Sequence, residues 1–281
     1  MNRTRIFGLT SLAMIAFASN SLLCRAALKQ TSIDAATFTF VRIFSGAAAL
    51  WLIIRMRRTT WNEAGNWFSA AALFVYAAAF SFAYNTLSAG MGALLLFGAV
   101  QATMIVWSLC KGERLRAIQL IGLVVAVTGL VVLLLPGLSA PPLSDSILML
   151  GAGVAWGIYS LRGKGEKNPA SATAGNFLRA VPFAVAVSTV MLPWARLDRT
   201  GIDYAVISGA ITSGLGYVIW YSALPGLKAA GAATVQLSVP ILAATGGILL
   251  LGEPITFRYF VASIAVLGGI ALVVIEKNSA R

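Results

Sequence analysis

The sequence predicts an all-α polytopic membrane protein: ten transmembrane helices arranged as two inverted five-helix repeats. Three observations carry this expectation. First, 59% of residues are hydrophobic and only 11% are charged, against about 25% charged in a soluble domain. Second, the apolar residues fall into ten runs, near 6–24, 35–54, 67–86, 91–109, 117–136, 146–163, 173–194, 203–223, 230–250 and 257–275. Each is close to the ~20 residues that cross a bilayer. Third, one unit occurs twice. Phe40-Val41-Arg42 returns as Phe177-Leu178-Arg179, and Gly112-Glu113 returns as Gly252-Glu253. Gly129 and Gly269 repeat at the same offset as Glu113 and Glu253. Five spans per copy turn the second copy upside down. The halves 1–137 and 138–281 are then related by a pseudo-two-fold axis in the membrane plane, with a solute site between them.

The elements follow in order. Arg3, Arg5, an apolar run and Ala16-Phe17-Ala18 imitate a secretory signal. The run nevertheless aligns with the start of the second half, Ala155-Trp156-Gly157-Ile158-Tyr159-Ser160, so we expect it to stay as the first helix. The second span carries Arg42, the third Tyr76 and Tyr84, and the fourth Gly90, Gly92, Gly98 and Gln101. Small residues there allow close helix contact. The fifth is almost wholly apolar. Pro136-Gly137-Leu138-Ser139-Ala140-Pro141-Pro142 is rich in turn formers and joins the halves. The sixth span carries Trp156 and Tyr159, the seventh Arg179, and the eighth Tyr217, Trp220 and Tyr221. Gln236, Ser238 and Pro240 lie in the ninth, and Gly268-Gly269 in the tenth. Pro240 removes a backbone hydrogen bond mid-span and is a candidate hinge. Val100 stands at the matching place in the first half.

The net charge of +12 is distributed as a membrane topology rather than as a nucleic-acid surface. With the N-terminus in the cytoplasm, Arg3, Arg5, Arg55, Arg57, Arg58, Lys111, Arg114, Arg116, Arg162, Lys164, Lys167, Lys228, Lys277 and Arg281 lie inside. Only Arg25, Lys29, Arg196, Arg199 and Arg258 lie outside. The positive-inside rule therefore places both termini in the cytoplasm. Cys24 and Cys110 fall near opposite ends of their spans and are expected to stay unpaired. No histidine occurs, and the nine acids sit in loops or at span ends. This argues against enzymatic chemistry, a metal or cofactor, and a histidine or mid-span carboxylate proton relay.

Arg42 and Arg179 are the charges inside spans, where insertion costs about 2.5–3.5 kcal/mol. Three roles remain open for each: a structural arginine tied to carbonyls, a carboxylate clamp, or a gate. Inversion allows Arg42 to pair with Glu253 on one side and Arg179 with Glu113 on the other. The remaining candidate substrate residues are Asn20, Trp156, Tyr159, Tyr217, Gln236 and Ser238. An uncharged aromatic lining of this kind suits amphipathic organic solutes.

These features together resemble the drug/metabolite transporter superfamily, EamA type. The resemblance rests on the duplicated arginine, Pro240, and Leu251-Gly252-Glu253-Pro254 before the last span. Val100 in place of a proline departs from the family pattern. Within the family the chain is most similar to YddG-type aromatic amino-acid exporters. This resemblance implies export of aromatic and other neutral amino acids across a bacterial inner membrane. It also implies a central cavity, with the fifth and tenth helices peripheral. The alternatives are export of other drugs or metabolites, and a non-transporting membrane scaffold without a cavity. The expected partners are small solutes and the lipid bilayer, with monomer or homodimer open.

Overall fold

Helix starts and stops follow side chains that satisfy the free backbone groups at helix ends. The computed structural model describes residues 3–56, 64–112, 116–136, 140–163, 166, 168–227 and 229–279. Among them every regular element is helical. In order these are α1 (Arg3–Gln30), α2 (Ala35–Met56), α3 (Trp67–Ala83), α4 (Ala89–Cys110), α5 (Ala117–Leu134), α6 (Leu143–Gly163) and α7 (Pro169–Val190). A continuous run then joins α8 (Arg199–Val206), a π-helical segment Ile207–Leu215 and α9 (Gly216–Ala223). α10 (Ala229–Gln236) and α11 (Ser238–Leu251) are separated only by Leu237, and α12 (Phe257–Ser279) follows. Asn66 accepts from the Ser69 amide at 2.9 Å to open α3. Ser88 does the same for α4 through the Met91 amide, and Asp198 for α8 through the Gly201 amide. Gly252 ends α11 at φ 63°, a left-handed conformation that only glycine adopts cheaply. Its turn lets the Glu253 amide bond back to the Gly247 carbonyl at 3.0 Å.

Among the described residues, seven helical stretches are long and apolar enough to cross a membrane: 3–30, 35–56, 89–110, 117–134, 199–226, 234–251 and 257–274. α3 is apolar but has 17 residues. α6 and α7 have the length but carry Asp145, Arg162, Asn176 and Arg179. Pro182 lies within α7.

One face of each inner helix is buried. On α1 it runs through Ala13, Phe17, Asn20, Ser21 and Cys24, and on α3 through Leu73, Tyr76 and Phe80. α1 packs on α9 and α11, α2 on α7 and the π segment, and α3 and α4 on α6. α5 and α12 pack mainly on each other. Their outer faces expose Ile118, Ile121, Val124, Phe257, Phe260 and Ile264, an apolar surface suited to lipid and not to water. They meet backbone to backbone at Gly122 and Gly269, where an added Cβ on Gly122 would lie 2.5 Å from the Gly269 carbonyl oxygen. Cys24 is buried and Cys110 exposed, and both are free thiols.

One acid, Asp34, ties the start of α2 to the segment before α8. Asp34 accepts from the amides of Ala36 and Thr37 at 2.9 Å, the Thr37 hydroxyl at 2.6 Å and the Arg196 amide at 2.8 Å. Partial burial alone would raise its pKa, but these hydrogen bonds outweigh it and hold the carboxyl below its ordinary value. A carboxylate whose pKa falls on folding stabilises the fold above its unfolded value; that contribution disappears as pH falls through the folded value. Asp34→Asn is therefore expected to lower the thermal unfolding temperature at neutral pH. The gap to wild type should close as pH drops through the acid range. Unfolding scans across a pH series in detergent check this, and a gap independent of pH would refute it.

Candidate functional site

The buried faces of six elements converge on one polar and aromatic cluster. Phe17, Asn20 and Ser21 come from α1, Arg42 from α2, and Tyr76 and Phe80 from α3. Trp156 comes from α6, Thr212 from the π segment and Tyr217 from α9. Phe17, Asn20, Tyr76, Trp156, Thr212 and Tyr217 line a narrow cavity whose open space is water-sized. Rings fill most of it. The Trp156 ring lies 4.8 Å from Tyr217, 5.0 Å from Tyr76 and 5.5 Å from Tyr159, centroid to centroid. The Phe17 ring meets Tyr217 and Trp220 edge-on at 5.9 Å. Such ring contacts contribute about 0.5–1.5 kcal/mol each beyond burial.

The polar half is a hydrogen-bonded chain. Asn20 donates to the Tyr76 hydroxyl at 3.3 Å. Its carbonyl oxygen accepts from Ser208 at 2.7 Å and from Thr212 at 3.2 Å. Arg42 is 2% exposed. Its Nη2 donates to the Tyr76 hydroxyl at 3.0 Å and its Nε to the Ser213 hydroxyl at 3.3 Å. Its guanidinium carbon lies 4.8 Å from the Phe80 ring centre and 5.2 Å from that of Tyr76, as in cation–π contacts. Arg42 Nη1 is buried without a hydrogen-bond partner.

The π segment makes this chain possible. The wider turn puts Ser208, Thr212 and Ser213 all toward the cluster. Gly209 lets the segment touch α2: a Cβ there would lie 2.1 Å from both the Arg42 carbonyl oxygen and the Ser45 hydroxyl. π-helical turns are rare and concentrate at functional sites.

A clasp closes one end of the cluster. Arg25, one turn beyond Ser21 on α1, donates through Nε to Glu253 at 2.9 Å. Its Nη1 donates to the carbonyls of Tyr84 and Asn85, at 2.9 and 2.8 Å. The other Glu253 oxygen accepts from the Ala89 amide at 2.8 Å. Four segments are thus tied at one point: α1, the end of α3, the start of α4 and the turn after α11.

Asn20, Trp156 and Tyr217, expected from the sequence, meet in the cavity. Tyr159 stacks behind Trp156 and lines a second cleft with Ser69, Arg162, Glu166, Asn176 and Tyr221. The structure takes Gln236 elsewhere: its side-chain amide bonds within its own helix to the Ala232 carbonyl at 3.3 Å. The Ser238 hydroxyl bonds to the Val235 carbonyl at 2.7 Å, across the break between α10 and α11. Neither lines the cavity around Asn20. Pro240 is the third residue of α11, where a helix amide has no intrahelical partner in any case. The break lies at Leu237, before the proline.

The gate pairing needs correction. Glu253 binds Arg25 and not Arg42, because Arg25 reaches the turn after α11 while Arg42 lies deeper, against Tyr76 and Ser213. Arg179 donates to the carbonyls of Ala64 and Gly175, at 2.8 and 3.1 Å. Glu113 lies outside the described residues. Sequence reading passed over Arg25, Phe17, Phe80 and the hydroxyls of the π segment. The run Ile207-Ser208-Gly209-Ala210-Ile211-Thr212-Ser213-Gly214, with three hydroxyls among glycines inside an apolar span, was the available signal.

A bundle of lipid-facing helices around a buried polar and aromatic cavity defines a multi-pass membrane protein of transporter type. The model of the EamA-like transporter family matches residues 144–275. An uncharacterized protein of Pseudomonas aeruginosa is 58% identical, over 96% of this chain and 94% of that one. The threonine/homoserine exporter RhtA of Salmonella typhimurium is 32% identical over 54% of this chain, which spans about half (53%) of that exporter's length. A probable amino-acid metabolite efflux pump of Escherichia coli is 24% identical over 65% of this chain and 66% of its own. A solved crystal structure, described only as that of a protein, shares the fold at TM-score 0.72 over 100% of both chains, with 15% identity. Residues 144–275, most of the second half of the chain, are thus similar to EamA-like transporters.

Proposed function

We propose that this protein exports neutral amino acids, aromatic ones among them, across a bacterial inner membrane. The two halves, 1–137 and 138–281, act as inverted five-helix repeats that expose one central cavity to each side in turn. Both termini face the cytoplasm in this reading, as the lysine and arginine distribution supports. The observation that carries the proposal is the cavity itself: it is lined by the hydrogen-bonding groups of Asn20, Tyr76 and Thr212 and by the rings of Phe17, Trp156 and Tyr217, with Arg42 bonded to the Tyr76 hydroxyl. An amino acid has that same division into a polar head and a side chain. The names of two relatives, a threonine/homoserine exporter and an amino-acid metabolite efflux pump, support the same solute class. A scaffold has no use for such a cavity. Among the described acids only Glu253 is buried, and it is held in an ion pair. This favours facilitated diffusion or exchange over proton coupling.

The test is uptake of labelled tryptophan, phenylalanine, methionine, threonine and homoserine by the purified protein in liposomes at pH 7, with and without a pH gradient. We expect uptake without a gradient that unlabelled amino acids compete. Strict dependence on the gradient would overturn the uncoupled mechanism. Uptake of threonine and homoserine alone would remove the aromatic specificity. No uptake from folded protein would overturn the amino-acid reading.

A further inference from the structure

We infer that Arg42 is the receptor for a carboxylate group of the cargo, so that the solutes carried are carboxylic acids as a class. This inference rests on the exporter reading and assigns its chemistry. A buried arginine without a counter-ion is costly, because its charge has left water and nothing has replaced the hydration. Arg42 is in that condition. Two of its three nitrogens have neutral partners, the hydroxyls of Tyr76 and Ser213, and Nη1 has none. Two acids at that end of the bundle are already taken. Glu253 is saturated by Arg25 and the Ala89 amide. Asp34 caps the start of α2, about 12 Å along the helix from Arg42 by helical rise, and its oxygens serve Ala36, Thr37 and Arg196.

The faces of the guanidinium are occupied as well. Phe80 and Tyr76 pack against it, and both rings line the cavity. The open valence is therefore an N–H edge held among cavity-lining side chains. A carboxylate is the group that fits it, accepting from Nη1 and Nη2 together in the two-pronged geometry of arginine–carboxylate pairs. Its negative charge would also supply the missing counter-ion. Arg179 offers no such edge to this cavity: it is half-buried and satisfied by carbonyls. The two repeated arginines have thus diverged, one into scaffold and one into receptor. Among the described residues no carboxylate lines the cavity to bind an ammonium group, so recognition runs through the acid end of the solute.

The experiment compares each amino acid with its amide and with its decarboxylated amine, as competitors of labelled amino-acid uptake into liposomes. The same three compounds are tested for thermal stabilisation of the detergent-solubilised protein. Wild type should prefer the acid by roughly tenfold or more, the scale of one unmet buried ionic hydrogen bond. The deaminated acid should still compete. Arg42→Gln should lose the preference, and Arg42→Lys, which keeps charge but not the fork, should retain part of it. An amide that competes as well as its acid in wild type, or an Arg42→Gln protein that still prefers the acid, would overturn the receptor and leave the exporter reading standing. Acid-specific thermal stabilisation with no uptake would support the receptor and overturn export. If Arg42→Gln fails to fold, the wild-type comparison of acid with amide decides.

Discussion

Glu253→Gln will unfold in detergent at a clearly lower temperature than wild type, and Cys24 will become reactive to maleimide in it. The side chains of Arg25 and Glu253 are 11% and 5% exposed, so their charges are largely withdrawn from water. Removing one partner of a buried ion pair costs about 3–5 kcal/mol, because the other charge stays buried and uncompensated. Here the survivor is Arg25, which also holds the carbonyls of Tyr84 and Asn85. Its displacement would loosen the end of α3 together with α1. Cys24 is the neighbouring residue on α1 and is 0% exposed, so it reports on that loosening directly, in a Cys110→Ala background that removes the exposed thiol. The double variant Arg25→Met/Glu253→Met should be less destabilised than the single Arg25→Met, since it leaves no orphan charge. Unfolding of Glu253→Gln at the wild-type temperature, with Cys24 still protected, would show that the clasp contributes nothing to closing this end.

The same clasp marks where sequence reading stopped. Helix positions were legible because apolar runs and caps are local: the runs expected at 35–54, 117–136 and 257–275 correspond to α2, α5 and most of α12. α1 runs past its apolar stretch to Gln30, because Arg25 finds buried acceptors instead of ending the helix at water. Asn20, Trp156 and Tyr217 could be read as cavity residues, since polar and aromatic groups far from span ends need a partner other than lipid. The Arg42–Glu253 pairing failed for a reason of depth. The expected inversion puts Arg25, Arg42 and Glu253 toward one side, but it does not say whether Arg25 or Arg42 lies level with the turn after α11. The π segment was invisible because hydropathy averages over Ser208, Thr212 and Ser213, and a change of helical pitch leaves no mark in such an average. Gln236 lies away from the Asn20 cavity because a buried amide can be satisfied within its own helix.

Gly209→Ala is expected to impair both stability and uptake. A Cβ at 209 would sit 2.1 Å from the Arg42 carbonyl oxygen and 2.1 Å from the Ser45 hydroxyl. The hydroxyl can rotate away, but the carbonyl belongs to the α2 backbone. The π segment and α2 must therefore separate, and overpacking of this kind costs about 1–3 kcal/mol. The separation acts where Arg42 leaves its helix. It would lengthen the 3.3 Å bond from Arg42 to Ser213 and draw Ser208 and Thr212 away from Asn20. Gly151→Ala on α6 is the control. Nothing lies within 4 Å of its added Cβ, and alanine is the better helix former by about 1 kcal/mol, so stability should hold or rise with uptake unchanged. Uptake in liposomes and thermal unfolding of both variants decide the matter. If Gly209→Ala matched Gly151→Ala in both, the close contact of α2 with the π segment would not be what positions the cavity's polar wall. Loss of uptake with stability retained would place the damage at Arg42 and Asn20 rather than in the fold at large.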